Sequence, residues 1–159
     1  MVAKDKMIAP RYQDIAPEKI PEVALATGAR ARVIAGDTGG VRGPVEGVGT
    51  QPTYLDVRME PRARFSLALA PGHNAFAYVY EGRVAIGGAA AQEMAAGKLA
   101  VLSDGSELSA TTGEAPGRFL LLAARPLGEP VARYGLFVMN TREEIAQAVE
   151  DYQRGAFLA

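Results

Sequence analysis

The stretch Tyr54-Leu55-Asp56-Val57-Arg58-Met59 alternates apolar and polar side chains without a break: Leu55, Val57 and Met59 fall on one face, Tyr54, Asp56 and Arg58 on the other. A period of two marks a half-buried strand, with one face toward a core and the other toward water. Similar runs recur on either side of it, at residues 32–35, 65–70, 75–80, 83–86, 99–102, 107–111 and 119–123. Short strands at this spacing predict a β-sandwich or barrel. The turn signals agree. Glu81-Gly82 separates two of the runs, and Asp104-Gly105, between 99–102 and 107–111, predicts a two-residue hairpin. The 18 glycines and 10 prolines are more turn formers than a helix bundle would carry.

The ends of the chain read differently. Residues 1–29 mix Lys4, Asp5, Lys6 and Arg11 with prolines at 10, 17 and 21, a spacing that denies a long helix and predicts an extended strap. Residues 30–140 then form the barrel. At Thr141-Arg142-Glu143-Glu144 the Thr hydroxyl and the Glu three residues on make a capping box. A helix is predicted over 141–155, with Ile145, Val149 and Tyr152 as its apolar stripe and Gly155 as a left-handed stop, packed on the barrel.

Composition removes several function classes. The chain of 159 residues has no cysteine, no tryptophan and one histidine, so it offers no disulfide framework, thiol nucleophile or iron–sulfur cluster. A single imidazole cannot build a transition-metal site alone. The 17 Lys and Arg against 18 Asp and Glu give a net charge of -1, with the basic residues scattered, which argues against direct nucleic-acid binding. No apolar run approaches a membrane span, and no secretory leader is seen, so a cytoplasmic protein without a membrane partner is expected.

Several polar stretches suit plain structural roles. Gly36-Asp37-Thr38-Gly39-Gly40-Val41-Arg42-Gly43-Pro44 is glycine-rich, but no Gly-Lys-Ser/Thr ending or helix follows, so it reads as a turn rather than a phosphate loop. Ser66, Ser103, Ser106 and Ser109 lack a nucleophile-elbow context. Glu143, Glu144, Glu150 and Asp151 suit a solvated helix face, and Tyr54, Tyr78, Tyr80 and Tyr134 suit strands. That leaves His73 and Asn74, in a turn entering a strand, as the polar groups of a candidate pocket. No catalytic and no metal-ligating residue is assigned.

At Ala70-Pro71-Gly72-His73-Asn74-Ala75-Phe76-Ala77-Tyr78-Val79-Tyr80-Glu81-Gly82 the chain resembles the C-terminal half of a pirin. Four further places agree: Lys4-Asp5-Lys6-Met7 with Pro10-Arg11-Tyr12-Gln13, Gly43-Pro44-Val45 with Pro52-Thr53-Tyr54, Pro126-Leu127-Gly128-Glu129-Pro130-Val131, and Tyr134-Gly135-Leu136-Phe137-Val138-Met139-Asn140-Thr141. Pirins resemble two cupin barrels in tandem. The resemblance implies an all-β, jelly-roll-like cupin barrel with one C-terminal amphipathic helix. In the family the iron is held in the N-terminal barrel by three histidines and a glutamate, and that barrel is absent from this sequence. Sliding the family's His-x-His motif onto this barrel, anchored at Glu81-Gly82, places the histidine positions at Ala68 and Ala70. No cofactor is therefore expected, Fe(II) belonging to the missing domain. If Ala68 and Ala70 point inward, Phe65, Leu67 and Leu69 point outward and need cover.

The expectation that follows is a metal-free, pirin-like C-terminal cupin domain with a structural or protein-interaction role, self-associating or docked on a partner cupin domain. The alternatives are a pirin-type Fe(II)-dependent quercetin 2,3-dioxygenase completed by another chain, and a metal-free small-molecule-binding barrel. Catalysis by this chain on its own is not expected.

Overall fold

The alternation at 54–59 is a strand: β5 (Thr53–Met59) buries Leu55, Val57 and Met59 and turns Asp56 and Arg58 outward. The computed structural model describes residues 3–9, 12–45 and 49–156. Met1, Val2, Pro10 and Arg11 of the N-terminal stretch and its motif lie outside the described residues. The described residues fall into two compact units, one drawn from residues 14–45 and 51–126 and the other from 3–9, 12–13, 49–50 and 127–156.

The larger unit is a single antiparallel sheet of nine strands, nearly closed into a barrel. Along its main path run β1 (Glu22–Ala26), β2 (Ala29–Ala35), β5, β11 (Gly117–Ala124), β7 (Asn74–Ile86), β10 (Glu107–Thr111) and β6 (Arg64–Ala68), with β8 (Gln92–Ala95) and β9 (Lys98–Val101) also paired to β7. The two ends of the path, β1 and β6, pack against each other. A short hairpin of β3 (Asp37–Thr38) and β4 (Val41–Arg42) turns on Gly39 and Gly40, both at positive φ. The glycine-rich run is thus a hairpin and no phosphate loop, because two successive left-handed residues suit a tight turn.

Two turn expectations fail in an informative way. Glu81-Gly82 does not end a strand. β7 runs on through it for 13 residues, bending at Gly82, whose φ is +70°. A Cβ at Gly82 would run into the Pro116 carbonyl, so the neighbouring strand can lie against the bend only because glycine stands there. Opposite the bend, Ala96 N–H donates to Gly82 O at 3.0 Å and Gly97 N–H to Val79 O at 2.7 Å. β8 and β9 thereby follow β7 around the corner. Asp104-Gly105, for its part, makes no hairpin: β9 pairs with the first half of β7, whereas β10 pairs with β6 and the last residues of β7. The segment between them crosses from one side of the barrel to the other.

The main core cluster is built of apolar side chains. Leu55, Val57, Val79, Val84, Phe119 and Leu121 are essentially unexposed, and Phe65 meets Phe119 edge-on with ring centroids 5.4 Å apart. A buried polar tie closes the β6 end: Thr112 Oγ1 accepts from Ala63 N–H at 3.0 Å and donates to Glu60 O at 2.6 Å.

In the smaller unit, β12 (Ala132–Tyr134) and β13 (Phe137–Met139) form a hairpin on which α1 (Arg142–Gln153) packs Ile145 and Ala148. The capping box is made as the sequence implies. Glu144 N–H donates to Thr141 Oγ1 at 3.1 Å, and Thr141 N–H donates back to Glu144 Oε2 at 3.0 Å. Gly155 follows the helix at a φ of +70°. Within this unit the helix rests on the hairpin, where Ala132, Phe137 and Met139 supply the apolar partner for Ile145 and Ala148. Strand β1 lies inside the stretch read as a strap. Its extended backbone pairs with β2 instead of running free.

Candidate functional site

Three places in the barrel unit bear on function: the interior wall of β6, the turn before β7, and the outer face of the sheet. On β6 the side chains alternate so that Phe65 and Leu67 face the core, joined by Leu69, while Ser66, Ala68 and Ala70 are exposed. The expected histidine positions, Ala68 and Ala70, therefore face outward. A slip of one residue exchanges the two faces of a strand, and the inward pair is Leu67 and Leu69. Neither side chain offers a donor atom. Among the described residues, no three of His, Cys, Asp and Glu converge to hold a metal ion. The residues lining this interior do not fit the iron that the wider family implies.

His73 and Asn74 sit where the sequence places them, at the start of β7, with His73 N–H donating to Ala70 O at 3.2 Å to close the turn. His73 is half-buried and Asn74 exposed. Neither is among the residues lining the cleft of about 720 Å³ on the barrel unit.

The clearest constellation lies elsewhere, on the outer face of the sheet. Cross-strand register sets Arg30 on β2 opposite Arg58 on β5, Arg58 opposite Arg118 on β11, and Arg118 opposite Glu81 on β7. Directly paired residues on adjacent strands share a face at about 5 Å spacing. The three guanidinium groups therefore form a row across three strands, in a cleft of about 720 Å³. The outer two are ion-paired, Arg30 to Glu22 at 3.1 Å and Arg118 to Glu81 at 3.2 Å. Beside the row, Tyr80 O–H donates to Asp56 Oδ1 at 2.6 Å. Burial, then that hydrogen bond and the Asp56 charge, push the Tyr80 phenol up to about 12, while Arg118 and Arg58 pull it the other way.

Further along the same face the character changes. Phe76 is paired with Val101 and Tyr78 with Leu99 across β7 and β9, with Leu122 and Leu120 as their neighbours on β11. Val101 is 80% exposed and Leu99 53%. This is a contiguous apolar strip on the outside of a sheet. Sequence reading missed both the strip and the arginine row, because each is assembled from strands distant in the chain. Only the outward register of each strand hinted at them.

A small antiparallel barrel with one long strand bent between its two sides, filled by apolar side chains, defines a protein of the cupin class. The Pirin C-terminal cupin domain matches residues 54–158. A Pseudomonas aeruginosa protein provisionally named a quercetin 2,3-dioxygenase is 43% identical over 157 residues, covering 96% of this chain and 55% of that protein. A pirin-like protein of Solanum lycopersicum is 38% identical over 154 residues, covering 96% of this chain and 52% of its own length. The crystal structure of a quercetin 2,3-dioxygenase from Acinetobacter baumannii superposes with a TM-score of 0.83 at 33% identity, over 99% of this chain and 54% of that one. The chain belongs to the pirin family. It spans about half the length of these relatives and corresponds to their C-terminal cupin domain.

Proposed function

We propose that this domain works in the cytoplasm as a structural or protein-interaction module without a metal site of its own, docked on a second cupin barrel supplied by another copy or by a partner chain. The observation that carries the reading is the interior: the side chains turned inward along β6 and just after it are Phe65, Leu67 and Leu69, packed on a core that includes Phe119 and without a donor atom among them. Iron chemistry of the non-haem kind requires several protein nitrogen or oxygen ligands with open positions beside them, and this wall provides neither. The apolar strip of Phe76, Tyr78, Leu99 and Val101 supports the docking half of the proposal, since exposed contiguous apolar surface marks interaction sites. In the other unit Leu136 and Val131 are also largely exposed.

The names of the relatives favour a second reading, in which the family's dioxygenase reaction takes place in a partner's barrel and this domain completes the assembly. A small-molecule barrel is less favoured, because the interior is filled by side chains.

Metal analysis after anaerobic reconstitution with Fe(II) and removal of excess separates these readings. The expected content is far below one iron per chain. Stoichiometric iron would overturn the metal-free reading, and His73→Ala would then show whether the imidazole is a ligand.

A further inference from the structure

We propose that the arginine row Arg30, Arg58 and Arg118 is a binding site for a small multivalent oxyanion. The inference stands apart from the interaction role, since it concerns the charged end of the sheet face rather than the apolar strip. Like charges directly opposite one another on neighbouring strands destabilise a sheet. Here two such pairs are consecutive, Arg30 against Arg58 and Arg58 against Arg118. The flanking carboxylates, Glu22 and Glu81, are taken by the outer two arginines. Glu60 lines the same cleft but makes no ion pair with Arg58. In the neighbouring row, Arg32 donates to Pro17 O at 2.5 Å and Asp56 accepts from Tyr80. Arg58 is thus left between two cations with no carboxylate partner among the described residues.

A guanidinium presents its donors in a planar fork matched to the paired oxygens of phosphate and carboxylate. A ligand with a single charge would engage one fork. One with two or three charged oxygen groups, such as a diphosphate or a tricarboxylate, spans neighbouring strands and relieves both repulsions at once. The cleft of about 720 Å³ accommodates a ligand of that size. Arg58, at the centre, is the residue on which affinity depends.

The test is calorimetric titration of the full 159-residue chain with pyrophosphate and, separately, citrate, at an ionic strength of about 0.15 M so that diffuse attraction is screened. Saturable binding of either anion at one site per chain is expected, and the stronger of the two tells phosphate from carboxylate recognition. Arg58→Gln should weaken binding by about tenfold or more, the loss of one charge-assisted contact. Arg64→Gln removes an exposed arginine from β6, outside the cleft, and should leave affinity unchanged. Circular dichroism melts confirm that both variants fold. Failure of both anions to saturate the wild type, or equal losses in the two variants, would overturn the proposal.

Discussion

Tyr80 shows how partial burial and a hydrogen bond on an outer face together give the fold a pH dependence. An unperturbed phenol has a value of 10.0, and here it is held at about 12 because the neutral form is both partly desolvated and bonded to Asp56. A raised value means that the folded state keeps its proton longer than the unfolded one. The stabilisation is complete below pH 10 and is lost as the pH climbs from 10 to about 12. Asp56→Asn removes the carboxylate, and the tyrosinate absorbance of this residue should then develop at lower pH, identified by difference against Tyr80→Phe among the six tyrosines. An unchanged titration would show that Asp56 does not hold the phenol.

Among the elements, the two most informative positions are a bend and a cap. Gly82 combines a φ of +70° with a Pro116 carbonyl in the place a Cβ would occupy. Gly82→Ala should therefore destabilise the barrel by about 1–3 kcal/mol in chemical denaturation, whereas a loss near zero would mean that the bend relaxes freely. Thr141→Ala removes the hydroxyl half of the capping box and should lower the stability of α1 by about 1 kcal/mol, with Thr141→Ser restoring most of it. Hydrogen exchange along Arg142–Gln153 reads that change directly. The helix boundaries and the strands at 53–59 and 107–111 could be read from the sequence because their signals are local: a cap, an alternation. The strand pairings could not. Asp104-Gly105 has the chemistry of a hairpin turn, yet the strands beside it find better partners in β7 and β6, and only the folded sheet decides that competition. The inward side of β6 likewise depends on a single residue of register, which a resemblance anchored at Glu81-Gly82 does not fix: Leu67 and Leu69, not Ala68 and Ala70, face the core.

For the whole molecule, the barrel class and the family were accessible from sequence, whereas the arginine row and the apolar strip were not, being made by register across β2, β5, β11, β7 and β9. If the strip is a docking surface, light scattering should find the chain associated at high micromolar concentration, and Leu99→Lys with Val101→Lys should shift it to monomer. Both side chains point outward, so folding should survive the change. A wild type that is strictly monomeric would remove a second copy of this chain as the occupant. β7 carries a different consequence, for the order in which the barrel comes apart. Four other strands, β8, β9, β10 and β11, hydrogen-bond to this one segment. These four cannot separate from one another unless β7 itself parts from a neighbour. Unfolding should then be a single event for the whole barrel, with the amides of Ala77 and Val79 among the last to exchange with solvent deuterium, at a rate set by global opening rather than by local fraying.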